Sequence, residues 1–420
     1  MIITMNKTRT RFAPSPTGYM HIGNLRTALF EFLIAKHEGG DFLLRIEDTD
    51  QERKVEGAVD VIYKTLKECG LNWDEGPDIG GDFGPYVQSE RLPMYKGYAE
   101  DLIKLGGAHY CFCSEEEIEA QRKEAEGLGI SFKFNDPCKH LSAEEVQAKL
   151  DAGEPYVIRQ TIKDVGETYF DDEVYGRIEV DGDVLDEQIL IKSDGYPTYN
   201  FANIIDDHQM QISHVVRGNE YLSSTPKYNL IYDAYGWQRP TYVHVPPVMK
   251  DEHHKLSKRN GDASFQDLVA KGYLPDAIMN YIALLGWAPE TEQEIYTLDE
   301  LIKVFNIHRI SKSPAIFDID KLTWMNGVYL RNMDEETYYE TVRPYLEKAV
   351  HGPYNLKEIA KIIQPRIDIL NQIEESVDFF DTLVDYDLEM YRHKKMKTTP
   401  EVALKALKAS KQTLEAFDQW

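Results

Sequence analysis

The chain has 420 residues, which is more than one ordinary hydrophobic core accommodates, so we expect two to four domains. Hydrophobic residues make up 42% of it, which excludes an intrinsically disordered protein. The net charge of −25 argues against nucleic-acid binding through bulk charge, although a local basic surface stays open to RNA.

Targeting signals and membrane spans are not evident in the sequence. No run of about 18 apolar residues occurs, and the first twenty residues lack the apolar stretch of a secretory signal. The four cysteines are too few for a disulfide scaffold, and Cys111 and Cys113 are separated by one residue. We therefore predict a cytoplasmic protein without membrane contact, with a metal as one use of these cysteines.

The first hundred residues alternate predicted strands and helices. In chain order the predicted segments are a strand at residues 6–13, a helix from about His21 to the Gly39–Gly40 pair, a strand at 41–50, and helices at 54–69 and 92–105. The spacing of Leu25, Leu29 and Phe32 supports the first helix. Such alternation predicts a parallel α/β sheet with its site at the carboxyl ends of the strands.

The character of the chain changes at about residue 109 and again at about residue 197. A charged helix at 114–126 and strand-like runs at 156–159 and 188–192 predict an inserted mixed domain. The α/β pattern returns in the segments 199–205, 214–217 and 241–249, and mainly helices follow from residue 264, including 276–285 and much of 356–420.

Two segments have the residue types needed to bind a polyphosphate. In the turn at residues 14–24, Gly23 permits close approach to the backbone, and His21 opens a helix whose N-terminus favours phosphate. In the second segment, residues 255–259 place three cations within five residues before Asn260-Gly261. A lone histidine or a lone basic loop is more often structural or solvated.

The two segments together resemble the HIGH and KMSKS signatures of class I aminoacyl-tRNA synthetases. They lie in this order, about 230 residues apart. The pattern resembles that of bacterial glutamyl-tRNA synthetases in RFAPSPTG at 11–18, HIG at 21–23 and KLSKR at 255–259, and continues through IEDTD at 46–50 and VVR at 215–217 to about residue 326. Asn24 replaces the last histidine of the HIGH signature at a position that varies in the family, so we expect activity to be intact.

This resemblance implies a fold: a Rossmann-type class I synthetase catalytic domain, in the α/β class, with an inserted acceptor-binding domain and a C-terminal α-helical region. The implied domains are the first catalytic half at 1–108, the acceptor-stem-binding insertion at 109–196, the second catalytic half with the KLSKR loop at 197–262, a stem-contact region at 263–325 and a helical anticodon-binding region at 326–420. Relatives usually continue for several tens of residues, so we expect a truncated or naturally short form.

The resemblance also implies a reaction. The α-carboxylate of glutamate attacks the α-phosphate of ATP, giving glutamyl-adenylate and pyrophosphate, and a terminal ribose hydroxyl of tRNA then takes the glutamyl group. His21 and Lys258 are the implied catalytic residues, acting with Mg²⁺, and tRNA is expected to bind before activation. The implied ATP-binding residues are Gly23, Glu220, Leu222, Lys255, Ser257 and Lys258.

Recognition of glutamate requires a cation for its side chain, for which arginine is better suited than lysine. The resemblance gives this role to Arg11 and Arg217. It implies that Ser15 and Glu47 hold the α-amino group, and that Tyr199 and Asn203 line the pocket. Taken singly, each of these residues is more often structural.

The cysteines predict a structural zinc site. Cys111 and Cys113 are followed after twenty-four residues by Cys138 and His140, a set suited to tetrahedral Zn²⁺. In some relatives a tyrosine four residues before the third cysteine is a ligand, and here that position is Phe134. We therefore expect His140, or water, as the fourth ligand.

The expected partners are L-glutamate and tRNA-Glu, with tRNA-Gln left open, and a monomer is expected. The basic stretch at residues 392–412, with seven Lys or Arg against the single acid Glu401, is a candidate for anticodon contacts. Three alternatives remain: a glutaminyl-tRNA synthetase, disfavoured by Arg217; a glutamyl-queuosine synthetase, which is much shorter; and a silent tRNA-binding module or general nucleotidyltransferase, disfavoured by His21, Lys258 and the pocket residues.

Overall fold

The computed structural model describes residues 7–50, 55–163, 166–256, 264–381 and 385–417. The chain divides into two compact units, Met1–Asn326 and Gly327–Trp420. The α-helices are α1 Ile22–His37, α2 Ala58–Glu68, α3 Leu92–Lys104, α4 Glu115–Leu128, α5 Ala143–Asp151, α6 Tyr199–Gln209, α7 Thr225–Tyr235, α8 Phe265–Ala270, α9 Pro275–Ala283, α10 Leu298–Val304, α11 Ile319–Asn332, α12 Glu335–Ala349, α13 Leu356–Ile363, α14 Gln372–Val377 and α15 Pro400–Glu415. The strands are β1 Arg9–Phe12, β2 Asp41–Leu44, β3 Ala108–Cys111, β4 Val157–Gln160, β5 Glu167–Asp172, β6 Gly176–Asp181, β7 Ile189–Ile191, β8 His214–Gly218, β9 Thr241–Val245, β10 Val248–Met249 and β11 Ala315–Ile316.

Parallel strands form the centre of the first unit. β1 pairs in parallel with β2, and β8 pairs in parallel with β9. The backbone N–H of Ser213 donates to the carbonyl of Arg9 at 2.9 Å, so β1 lies beside β8. Since parallel strands direct their carboxyl ends to one edge, Arg11, Arg217 and His244 come to the same side of the sheet. This confirms the predicted Rossmann-type α/β class.

Most residues of helix α1 are buried. Its apolar residues Leu25, Leu29 and Phe32 have at most 5% exposure, because β1 and β8 lie on one side and α9 and α10 on another. Packing on two sides holds the helix in place. Its N-terminus therefore has a fixed position, with His21 as the N-cap residue.

The segment between β3 and β7 forms a smaller antiparallel sheet in the order β3-β4-β7. The hairpin of β5 and β6 also falls within the predicted insertion at 109–196, but β5 pairs in parallel with β9 through Asp172 and Tyr242. The hairpin is thus part of the catalytic sheet. Local sequence patterns do not reveal such long-range pairing, because its partner strand lies about 70 residues further along.

The described residues of the second unit, 327–381 and 385–417, contain helices and no strand. Helix α13 directs Ile359, Ala360 and Ile363 inward, whereas helix α15 of the basic stretch has no buried residue. Among the described residues of the whole chain, no helix combines the length and apolar character that a bilayer crossing requires.

Candidate active site

The loop before α1 and the loop after β10 meet at His21. The Nδ1 atom of His21 accepts a hydrogen bond from the Gly23 backbone N–H at 3.0 Å, so its proton is on Nε2. Nε2 lies 3.1 Å from the carbonyl oxygen of Leu256, the neighbour of Lys255. The N–H of Phe265 donates to the carbonyl of Met20 at 3.1 Å. The two signature segments are therefore adjacent in space.

A cavity of about 380 Å³ lies between these segments. Its lining includes His21, Gly23, Gly218, Glu220, Lys255 and Leu256. Backbone N–H groups at the start of α1, an imidazole and an ammonium make this cavity suitable for an anionic ligand. Ser257 and Lys258 lie outside the described residues.

Two other predicted nucleotide residues differ in their surroundings. Glu220 lies on the cavity, and a side chain at Gly218 would collide with the Glu220 carboxylate, so glycine lets the backbone pass close to it. Leu222 instead packs against the buried cluster that contains Tyr86 and Phe170.

The predicted substrate residue Arg11 is already paired with carboxylates of the protein. It contacts Asp207 from Nε at 2.8 Å and Nη2 at 3.2 Å, and its Nη1 lies 3.1 Å from Glu31. These neighbours raise the pKa of Arg11 despite burial. Arg11 therefore belongs to an internal ionic network. Asp207 links it to Arg45, whose Nη1 lies 2.8 Å from Asp207 Oδ1.

Glu47 lies at one end of this network and is 4% exposed. Arg45 contacts only its Oε1 atom, at 3.0 Å from Nη2. Burial raises the pKa of Glu47 to about 7, and Arg45 opposes this shift only in part. Since the buried carboxylate is not fully compensated by its arginine, the approach of a further cation would stabilise it.

Arg217 is the reverse case, a buried cation that no carboxylate of the described residues pairs with. Its exposure is 6%, and its Nε and Nη2 donate to His244 Nε2 at 3.0 Å and to Thr225 Oγ1 at 2.7 Å. The rings around its guanidinium carbon are those of Tyr221, Tyr228 and Tyr242, at 5.2, 4.9 and 5.4 Å. Within the described ranges it forms no ion pair, unlike the neighbouring Arg11 and Arg45. The site is therefore suited to an incoming anion.

Tyr199 packs against Tyr221, one of the rings around Arg217, with the two ring centres 5.4 Å apart. Its hydroxyl is within electrostatic reach of both Glu47 and Arg217, and burial raises its pKa well above the usual value. Asn203 is buried and donates from Nδ2 to the Tyr199 carbonyl at 2.8 Å. Ser15 is exposed, and the adjacent Pro14 carbonyl accepts from the Glu47 N–H at 3.1 Å. The structure thus groups most predicted pocket residues.

Sequence reasoning did not identify the residues that support this pocket. The buried partners it missed are Arg45, Asp206, Asp207, Asp172, His244 and Thr225. A signal was present for some of them, since Arg45 stands between Leu44 and Ile46 directly after β2 and Asp206-Asp207 follow the apolar pair Ile204-Ile205 in α6. Buried charges require partners, so charged residues within apolar runs indicate an internal network.

A separate cluster joins three cysteines and one aspartate. One ligand atom each from Cys111, Cys113, Asp136 and Cys138 lies within 4.8 Å of the others. The Sγ atoms of Cys113 and Cys138 are 3.6 Å apart, close to the roughly 3.8 Å between thiolates of a tetrahedral zinc site with Zn–S bonds of about 2.3 Å. Three thiols and a carboxylate fit the ligand preference of Zn²⁺.

His140, which was expected with water as the alternative for the fourth ligand, is not part of this cluster, and Asp136 is the fourth member instead. His140 ends the 3-10 helix Pro137–His140 and is exposed. Side chains two residues apart in a 3-10 helix point in different directions, so His140 cannot follow Cys138 inward. Phe134 stacks against Arg159, whose guanidinium carbon lies 4.7 Å from the centre of the Phe134 ring.

Two family models match the chain. The model for the catalytic domain of class I tRNA synthetases (E and Q) matches residues 7–324, and the model for an anticodon binding domain matches residues 337–420. Together they account for nearly the whole sequence.

Curated relatives and solved structures agree with this match. The chain is 59% identical to a glutamate–tRNA ligase of Clostridium botulinum and 58% identical to that of Clostridium tetani, covering 99% of this chain and 86% and 85% of those proteins. A crystal structure of a glutamate tRNA ligase from Elizabethkingia meningosepticum, in complex with its amino acid, superposes with a TM-score of 0.90 at 35% identity, covering 98% of this chain and 87% of that one.

Proposed function

Because the chain belongs to the glutamate–tRNA ligases, which are class I tRNA synthetases that join an amino acid to tRNA with ATP, we propose that Glu47 and Arg217 form the two ends of a site that selects L-glutamate. The support for this proposal is a pair of buried charged groups: Arg217 forms no ion pair within the described part of the chain, and Arg45 compensates the Glu47 carboxylate only in part. Glutamate complements both, through its side-chain carboxylate and its α-ammonium group.

The α-carboxylate of glutamate is then left to react with ATP. His21 holds its Nε2 proton toward the cavity side of the loop, where it can donate to a phosphoryl oxygen in place of the Leu256 carbonyl. Gly23, Glu220, Leu222, Lys255, Ser257 and Lys258 remain our candidates for holding ATP. Mg²⁺ neutralises phosphate charge when bound with ATP. Lys258 is proposed from the sequence alone.

The RNA partner proposed here is tRNA-Glu. The match of residues 337–420 to an anticodon binding domain supports this, as do the exposed lysines of α15, Lys405, Lys408 and Lys411. We also propose that the enzyme acts as a monomer. A cytoplasmic location agrees with its four free cysteines.

A charging assay tests this function. The chain is expected to esterify tRNA-Glu with labelled glutamate in an ATP-dependent reaction and to leave glutamine unattached. A parallel reaction with tRNA-Gln transcripts reports whether the second tRNA is also charged. Charging with glutamine in preference to glutamate would contradict the assignment of Arg217.

The affinity for glutamate is expected to depend on pH through Glu47. Its pKa is raised to about 7, and only its ionised form attracts the ammonium group. The protonated form increases as the pH falls through 7, so the KM for glutamate should rise, approaching about tenfold per pH unit below that value. Steady-state exchange between ATP and pyrophosphate from pH 6 to 8 measures this. In Glu47→Gln the rise should disappear, and a wild-type KM that is flat over this range would contradict the prediction.

The cluster of Cys111, Cys113, Asp136 and Cys138 is proposed to hold a structural Zn²⁺. Its support is the donor set and the spacing of the ligand atoms. When bound, the ion would cross-link β3 to the 3-10 helix that carries Cys138. Burial raises the pKa of the Cys111 thiol to about 11, so ionised thiolates require the metal.

Metal analysis tests the zinc proposal. Protein purified without added zinc is expected to contain about one zinc per chain, and Cys138→Ser should lower this below about 0.3. Cys69→Ser provides a matched control, because Cys69 is a buried free thiol outside the cluster. A wild-type content below about 0.3 per chain would contradict the proposal.

A further inference from the structure

A chain of buried hydrogen bonds continues behind Arg217. The guanidinium Nε donates to His244 Nε2 at 3.0 Å, and His244 Nδ1 lies 2.6 Å from Asp172 Oδ2. Exposure is 6% for Arg217, 0% for His244 and 4% for Asp172. No water competes for these bonds at such burial, so their donors and acceptors have to match.

The matching determines one protonation state. An arginine Nε can only donate, so His244 Nε2 must be the acceptor and the imidazole must be neutral. Its proton is therefore on Nδ1 and is donated to Asp172. Thr225 Oγ1 also lies 3.3 Å from His244 Nε2, but its one proton is donated to the Tyr221 carbonyl at 2.8 Å, and its oxygen accepts from Arg217 Nη2. The other tautomer or an imidazolium would direct N–H against N–H.

Asp172 is itself held rigidly. Its Oδ1 accepts from the backbone N–H groups of Val174 and Tyr175 at 3.0 and 2.8 Å, and its Oδ2 also accepts from the His244 N–H at 3.1 Å. The residue ends β5, which pairs with β9 beside His244. The β5–β6 hairpin thus supplies a fixed carboxylate to the sheet that holds Arg217.

We propose that Asp172 and His244 are positioning residues for glutamate recognition. The hydrogen-bonded Asp172–His244 pair fixes the plane of the Arg217 guanidinium. This fixed plane makes the guanidinium prefer a carboxylate to an amide. The inference rests on the proposed role of Arg217. Two of the guanidinium's donor atoms are bound to His244 and Thr225, which leaves its remaining N–H groups in one orientation. Bidentate recognition depends on that orientation, because a rotated fork meets only one carboxylate oxygen.

Two substitutions of His244 separate its two contacts. His244→Asn places an amide N–H at the position of Nδ1 and keeps the bond to Asp172, but it removes the acceptor for Arg217. His244→Gln places an amide oxygen near the position of Nε2 and keeps that acceptor. His214→Asn is the matched control, since His214 begins β8 on the same sheet and contacts Ser213 rather than Arg217.

The test measures tRNA-dependent exchange between ATP and pyrophosphate, with KM and kcat for glutamate, KM for ATP, and activity with glutamine. His244→Asn is expected to raise the KM for glutamate roughly ten- to a hundredfold and to reduce the glutamate-to-glutamine preference, with the KM for ATP within about twofold of wild type. For His244→Gln, the KM for glutamate should be close to the wild-type value. Asp172→Asn hardly changes the volume of the side chain. Like His244→Asn, it should raise the KM for glutamate and reduce the preference for glutamate over glutamine.

Three results would overturn the inference. The first is an unchanged glutamate KM in both His244→Asn and Asp172→Asn while the wild type is active. The second is an equal rise of the glutamate and ATP KM values, which indicates general disruption. The third is a His244→Gln variant no better than His244→Asn. A wild type without glutamate-dependent exchange would instead overturn the proposed function, and the positioning role with it.

Discussion

Replacing Arg217 with alanine is expected to abolish glutamate activation. The variant would leave the substrate carboxylate in a buried pocket without a cation and would leave His244 Nε2 without its donor. Removing one partner of a buried charge pair costs about 3–5 kcal/mol, which corresponds to a loss of roughly 10² to 10⁴-fold in kcat/KM. Exchange between ATP and pyrophosphate in the presence of tRNA measures this loss.

The control for Arg217→Ala is Arg239→Ala, because Arg239 is a partly exposed arginine whose guanidinium is paired with Asp233. That variant should retain wild-type exchange. Arg217→Lys keeps a positive charge but loses the planar fork, so it should fall between wild type and alanine. Near-wild-type exchange by Arg217→Ala with glutamate and tRNA present would show that a different cation reads the side chain.

Replacing His21 with alanine is expected to slow adenylate formation while leaving glutamate binding largely intact. The imidazole caps α1 and directs its Nε2 proton toward the loop that contains Lys255. Loss of one donor to developing phosphoryl charge typically lowers kcat by about 10² to 10³-fold. Single-turnover formation of the adenylate, measured with bound tRNA, separates this effect from substrate affinity.

His37→Ala is the matched control for His21, because His37 is the last residue of the same helix and is exposed. A second variant, His21→Asn, retains an N-cap acceptor for the Gly23 N–H and so removes the reactive proton without removing the cap. Both His21 variants should be slow. If His21→Asn forms the adenylate at the wild-type rate, the histidine has only a structural role at the start of the helix.

The sequence was sufficient for the features that depend on local chemistry. A strand, a glycine-containing turn and a helix with a histidine at its start were predicted from residues 6–38, and the structure has β1 and α1 there. The predicted α/β class and the family resemblance were confirmed by the matches to class I synthetases. Such features follow from short segments, whose periodicity and turn residues are visible without a fold.

Features that depend on distant contacts could not be predicted from the sequence. The carboxylates that pair with Arg11 are about 20 and 196 residues away in the chain, at Glu31 and Asp207. The fourth member of the cysteine cluster is Asp136 rather than His140 because the local 3-10 helix turns His140 outward. In both cases the sequence shows residues of the right chemical type. Tertiary structure decides which way each side chain points and which partner it meets.

The pairing of β5 with β9 is a further feature that depends on distant contacts, and it affects the proposed substrate site. The sequence placed Asp172 in an inserted segment, whereas the structure brings it next to His244 behind Arg217. The support for the pocket thus combines residues from three separate strands. Each strand contributes one residue of the hydrogen-bonded series Asp172, His244 and Arg217. The series forms only when all three strands are assembled.

A crystal structure of the protein with a non-hydrolysable glutamyl-adenylate analogue would show which residues hold the glutamate side chain. The side-chain carboxylate of the analogue should lie within about 3 Å of the Arg217 guanidinium, its ammonium group beside Glu47, and its phosphoryl mimic in the cavity between His21 and Lys255. A side-chain carboxylate bound elsewhere, with Arg217 facing no ligand atom, would contradict the proposed recognition of glutamate.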